Sequence, residues 1–170
     1  MTMQAFADQQ IGAFLDSAAS TAPSPGAGSS GAVALALGLA CARKAIALTL
    51  HHADDEQLAL LAGHLEGLTA QALAGGEADA RCYADYIAAI RCPSDDPKRG
   101  PASQDALRAL VDVGANLIAI GDEARSKLLE AKADVRPTMI NDIAAALALI
   151  AAARSIHSAC VAENGRAISP

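Results

Sequence analysis

The stretch Gly31-Ala-Val-Ala-Leu-Ala-Leu-Gly-Leu-Ala-Cys-Ala-Arg-Lys-Ala-Ile-Ala-Leu-Thr-Leu50 decides the fold. Wound as a helix it is apolar on nearly all sides until Arg43 and Lys44, as expected of a helix buried in a bundle or at a subunit interface. The chain as a whole agrees with it. Hydrophobic residues make up 52% of the 170 and aromatics only 2%, while 43 residues are alanine. Alanine is the best helix former, whereas strands favour β-branched and aromatic side chains. The expectation is an all-α protein of one domain spanning residues 1–170, a usual size for one hydrophobic core. Alanine lets helix axes approach closely, but each methyl buries little apolar area, so further burial between two copies, a homodimer, is expected.

Outward from this helix the pattern repeats. Upstream, residues 3–18 carry Phe6, Ile11, Phe14 and Leu15 at helical spacing, and the prolines, glycines and hydroxyls of 20–30 then predict a loop. Downstream, Asp54 and Asp55 can cap a helix in which Leu58, Leu61, Leu65, Leu68 and Leu73 recur, softened at Gly75-Gly76 and resumed by Tyr83, Tyr86, Ile87 and Ile90. A proline-rich, charged segment at 92–101 predicts a surface loop, followed by a helix over 102–133 that Arg136-Pro137 closes. The last helix is expected from Asn141-Asp142 to a stop at Asn164-Gly165. About five helices with mostly short connections imply an antiparallel bundle. No internal repeat is visible.

Charge and cysteine usage narrow the function. A formal net charge of −6 with scattered Lys and Arg gives no footprint for nucleic acid. The apolar runs 31–42 and 143–153 fall short of the roughly 20 residues that span a bilayer, so no membrane association is expected. The N-terminus lacks a basic segment ahead of an apolar one, so no signal peptide is read. Cys41, Cys82, Cys92 and Cys160 have no paired spacing, which predicts reduced thiols in a cytoplasmic protein. Adjacent His51 and His52 point in different directions on a helix, so with Asp54 and Asp55 they read as a solvated helix end, and no metal or other cofactor is expected. His157 reads as a partly exposed bundle residue.

A few polar residues stand out on these apolar helices. Lys44 must reach water, a carboxylate or an anion. Asp142 is either a site carboxylate or a helix cap, and Asn164 either binds a ligand edge or closes its helix. Twenty-two residues apart, the two share nearly one angular position on the last helix. Asp79 and Tyr83, four apart, share a face as well. Glycines at Pro23-Ser-Pro-Gly-Ala-Gly-Ser-Ser-Gly31 let backbone N–H groups approach an anion, or merely permit a tight path.

That last segment resembles the Pro-Thr-Pro-Gly-Gly-Gly signature of the formiminotetrahydrofolate cyclodeaminase and methenyltetrahydrofolate cyclohydrolase family. Phe14 to Ser20 looks like the family's first helix, and the small-residue pattern after the glycines is kept. Asp79 and Tyr83 match an Asp-x-x-x-aromatic pair, Arg99 fits a family arginine, and Asp142 with Asn164 reproduces the family spacing. Together these matches cover most of residues 10–164. The chain departs at Gly26-Ala27-Gly28, at Ala47 and Cys160 where asparagines are usual, and at its short C-terminus.

The resemblance implies a one-carbon-substituted tetrahydrofolate as the small-molecule ligand. The reaction would be hydrolysis of 5,10-methenyltetrahydrofolate to the 10-formyl compound, or the related cyclodeamination of a formimino group. It assigns proton transfer or pterin binding to Asp142 and the orientation of water or of the folate carboxylates to Lys44. Pro25, Gly26, Gly28, Asp79, Tyr83 and Asn164 would bind substrate, and all of these are expected to converge on one cleft beside the glycine loop. A second reading stays open, a degenerate, non-catalytic relative that binds a ligand or partner as a helical dimer.

Overall fold

The computed structural model describes residues 10–168. The buried helix begins four residues earlier than its apolar run, so the order is α1 Ile11–Ala18, α2 Ala27–Leu50, α3 Glu56–Ile90, α4 Arg99–Ala131, a 3-10 turn Pro137–Met139, and α5 Ile140–Ile168. α2 packs on α3 and α5, α4 packs on the same two, and α2 scarcely meets α4. That is a ring of four long helices in up-and-down order around one core, with α1 outside it. Phe14, with Ala18 of the same helix, holds α1 in place against Ala80, Val33 and Leu73. The expected first helix is seen only from Ile11, and its residues 3–9, with Phe6, lie outside the described residues.

Leu35, Leu39, Ile46, Leu65, Leu117, Leu128, Ile143 and Ile150 fill the centre, with Ala32, Ala42, Ala45, Ala72, Ala146 and Ala153 between them. Small residues set the helix spacing. A Cβ on Gly38 of α2 would come within 3.1 Å of the Ala146 carbonyl and the Leu149 Cβ of α5, so a larger residue there would need the two helices to give by a few tenths of an ångström.

Three points of the sequence reading can be set against the helices, and one of them, the end of α5, differs. α3 is the one long helix expected, and Gly75-Gly76 does not break it over its 35 residues. A Cβ at Gly75 would meet Leu117 Cδ2 at 2.7 Å, so the glycine makes room for a core leucine of α4. Asn164-Gly165 does not end α5 either. A helical glycine costs only about 1 kcal/mol relative to alanine, and Gln104 of α4 reaches the Ala167 carbonyl at 3.5 Å. At the other end, Asp55 caps α3 by accepting from the Leu58 amide at 2.9 Å. Thr49 accepts from the Arg136 amide at 3.2 Å and so ties the α4–α5 connection to the end of α2.

α2 is not enclosed on all sides. Its inner face is buried, but Leu37 is 52% and Leu48 40% exposed, with Ala40 and Ala47 between them on the outside. Alanines 144, 145, 148, 151 and 152 of α5 are exposed too. The uninterrupted apolar runs are shorter than a bilayer is thick, but the helices that contain them, Ala27–Leu50 and the segment Pro137–Ile168, are long and apolar enough to cross one. Each nonetheless contributes a buried face to the bundle core.

Candidate active site

Gly26 is the N-cap of α2 and has no side chain to satisfy the first free amides of the helix. A carboxylate from another helix takes that place. Asp79 of α3 lies so close to Gly28 that a Cβ there would collide with it, which is why this position must be glycine. The Ser29 hydroxyl stands 3.1 Å from Asp79 Oδ2 and 3.3 Å from the Gly76 carbonyl, and the Ser29 backbone also bonds to the carboxylate. The segment read as a glycine loop is therefore helical from Ala27 onward.

Asp79 sits at the wall of a cleft of about 270 Å³. Pro23, Ser24 and Gly26 of the loop form one side, Ala27 and Gly28 another, Asp79 and Tyr83 come from α3, and Leu110 from α4. Cys160, Glu163 and Asn164 of α5 complete it. Gly26, Gly28, Asp79, Tyr83 and Asn164 are thus brought together, whereas Pro25 belongs to the same loop but does not line the cleft.

Burial pushes the Asp79 carboxyl above its ordinary value of 3.8, and its hydrogen bonds to Ser29 oppose this only in part. No cation pairs with it among the described residues. A carboxyl in a cleft whose pKa is raised from the usual carboxylate range is a better proton carrier than an ordinary surface carboxylate. The nearby thiols are not: burial, with the Asp79 charge adding to it, raises both Cys82 and Cys160 and keeps them protonated.

Lys44 and Asp142 do meet, at 3.4 Å, but at the other end of the bundle. A rise of about 1.5 Å per residue places Lys44 about 24 Å from Gly28 along α2, and Asp142 about 33 Å from Asn164 along α5. The expected convergence of Lys44, Asp142 and the glycine segment within one chain is therefore corrected. Shared angular position does not bring together residues six turns apart. Asp142 lies in the first turn of α5, where a negative charge favours the helix dipole, and pairs with a lysine side chain that is 65% exposed.

The remaining candidates are scattered. Arg99 starts α4 and does not line the cleft. His51 and His52 stack edge to face at 5.0 Å just past α2, and no group of three or more potential metal ligands occurs among the described residues. His157, read as partly exposed, is instead buried at 1% exposure. It packs against Gly31, where a Cβ would come within 2.9 Å of its Nε2. A larger groove of about 500 Å³ between α3 and α4 is lined by His64, Lys127, Glu130 and Asp134 and holds none of the residues singled out by sequence. Sequence reading missed Ser24, Ser29 and Glu163. The two serines stand within the quoted motif, and their hydroxyls were the available signal.

The family model described as formiminotransferase-cyclodeaminase matches residues 10–169. The chain belongs to that family. Its fold agrees with the crystal structure of formiminotetrahydrofolate cyclodeaminase from Thermotoga maritima, with a TM-score of 0.86 at 18% identity, covering 96% of this chain and 81% of that one. No curated protein matches the chain. In this formiminotransferase-cyclodeaminase relative, Gly26, Gly28, Asp79, Tyr83 and Asn164 gather at the cleft, while another family match, Asp142, pairs with Lys44 at the opposite end.

Proposed function

We propose that the chain acts on a one-carbon-substituted tetrahydrofolate bound in the cleft, with Asp79 moving the proton. The observation that carries this reading is a carboxyl of raised pKa at the wall of the cleft that the family signature lines, without a cation to hold it ionised. In the cyclohydrolase direction, water adds to the methenyl carbon and Asp79 takes its proton. The C–N5 bond then breaks as that proton passes to N5 and the remaining hydroxyl proton of the adduct leaves to solvent, so the formyl group stays on N10 and one proton is released overall. In the cyclodeaminase direction, N10 attacks the formimino carbon and ammonia leaves, which again needs a proton moved between nitrogens. Neither route requires a covalent enzyme intermediate, in keeping with the protonated Cys160.

Asn164 and Tyr83 supply an amide and an aromatic face for the ring, and Gly26 and Gly28 the space. The test is the spectroscopic rate of methenyltetrahydrofolate hydrolysis, corrected for spontaneous opening. The parent is expected to accelerate it and Asp79→Asn to lose about 10²-fold or more, as for removal of a general acid–base. A parent that binds 5-formyltetrahydrofolate without turnover supports the non-catalytic reading, for which Cys160 in the cleft is the specific observation.

The protein is also proposed to dimerise through the exposed outer faces of α2 and α5. Leu37 and Leu48 are large apolar side chains left 52% and 40% exposed, and since burying a fully exposed one contributes about 1.5–3 kcal/mol, covering what remains of each contributes about half of that. Sedimentation at micromolar concentration is expected to give a dimer, and Leu37→Glu to give monomers. A monomeric parent contradicts this.

A further inference from the structure

Two buried polar atoms have no hydrogen-bond partner among the described residues, the His157 Nε2 and the Ser24 hydroxyl. His157 is sealed in the core and does not line the cleft, whereas Ser24 does. A dry hydroxyl has given up water without replacement, which is rare enough in native structures to require a reason. Pro23 and Pro25 on either side have no backbone N–H to donate to it, and no neighbouring carbonyl accepts from it. The serines around it are satisfied. Ser20, on the exposed side of the same loop, donates to the Ser17 carbonyl at 2.7 Å and accepts from the Ala22 amide at 3.2 Å. Ser29 is held between Gly76 and Asp79. The only one of the three left unpaired is the one that lines the cleft.

We propose that the Ser24 hydroxyl is a ligand-binding group that holds the carbonyl edge of a flat heterocycle in this cleft. The ligand class rests on the folate reading above, in which the ring is a tetrahydropterin. In that ring the C4 carbonyl flanks N5, the nitrogen that carries the one-carbon unit. A hydroxyl donating to that carbonyl, with Asp79 lining the same cleft, fixes the ring so that N5 and the one-carbon unit face the carboxyl. Leu110 offers an apolar surface and Tyr83 an aromatic one. At about 270 Å³ the cleft lies just under the roughly 300–1,000 Å³ of small-molecule pockets. It therefore takes the ring and leaves the aminobenzoyl-glutamate tail outside.

The experiment compares the parent, Ser24→Ala and Ser24→Thr for binding of 5-formyltetrahydrofolate, of a 6-methyl-tetrahydropterin, and of aminobenzoyl-glutamate, alongside the melting temperature of each unliganded protein. Ser24→Ala is expected to bind the first two about tenfold more weakly, the size of one lost hydrogen bond, with its melting temperature unchanged or raised. Ser24→Thr keeps the hydroxyl and is expected to stay within about threefold. A merely structural serine would give the reverse, a lower melting temperature and unchanged affinity, and that result overturns the proposal. A Ser24→Ala protein that fails to fold overturns it too, since removing an unpaired hydroxyl cannot unfold the chain. If the parent binds the folate and Ser24→Ala binds it equally well, the Ser24 assignment falls and the folate reading stands. If the parent binds neither folate nor pterin, both fall.

Discussion

At one end of the bundle Asp79 is drawn into the protein without a cation, held by Ser29 against the amides that begin α2. At the other, Asp142 is also half-buried, its side chain 25% exposed, but it meets the largely exposed Lys44 at 3.4 Å. Both are aspartates on long helices, and both match the family pattern. The difference lies in what surrounds each charge. A screened surface pair contributes little to stability and changes little in reactivity. A carboxyl taken out of water without a counter-charge is shifted toward the neutral form, which suits it to holding and returning a proton. Chemistry is therefore expected at the glycine end, and the lysine end is expected to be structural.

The largest effect is expected from Gly28→Ala. The added methyl runs into Asp79, so the start of α2 or the carboxyl must move, at a cost of about 1–3 kcal/mol. Folate binding should fall with it. Gly63→Ala, on the exposed side of α3 with nothing within 4 Å, is expected to stabilise by about 0.5–1 kcal/mol. Urea unfolding of both variants checks the pair, and equal effects would show that Asp79 does not press on α2.

Two buried groups give pH effects of opposite sign. The Asp79 carboxyl is raised by burial, so the folded state holds its proton longer than the unfolded chain. Stability is lost as pH rises from 3.8 through the folded value, and Asp79→Asn should remove that loss. His157 is lowered by burial, which the Gly31 carbonyl opposes only in part. The unfolded chain then takes up the proton first, so stability is lost as pH falls below 6.5, and His157→Leu should flatten that limb. Thermal melts across pH 4 to 8 test both signs, and a His157→Leu curve that parallels the parent below 6.5 would contradict the assignment.

The smallest effect belongs to the exposed pair. Lys44→Met and Asp142→Asn are each expected to change stability by about 0.5 kcal/mol or less, as for most surface ion pairs. A larger loss in chemical denaturation would mean that this end holds more than a screened contact.

The helices were legible because their apolar periodicity is a local property of the chain. The family signature was legible too, and it led to Gly26, Gly28, Asp79, Tyr83 and Asn164, which line one cleft. What could not be read depends on contacts far apart in sequence. The start of α2 looked like a loop because Gly26 to Ser30 carries turn residues, and the side chain that caps this helix arrives from Asp79, fifty residues beyond Ser29. Gly75 looked like a weakness because Leu117, which it accommodates, is on another helix. Lys44 and Asp142 were grouped with the glycine segment because periodicity gives the angle around a helix and says nothing of which end of the bundle a residue occupies.

The proposed assignment of proton transfer is to Asp79 and not to Asp142. Its most direct test is to assay methenyltetrahydrofolate hydrolysis for Asp79→Asn and Asp142→Asn beside the parent, at matched folded concentrations. Asp79→Asn is expected to fall about 10²-fold or more, and Asp142→Asn to stay within about twofold. An active parent in which Asp142→Asn abolishes turnover while Asp79→Asn retains it would contradict this account.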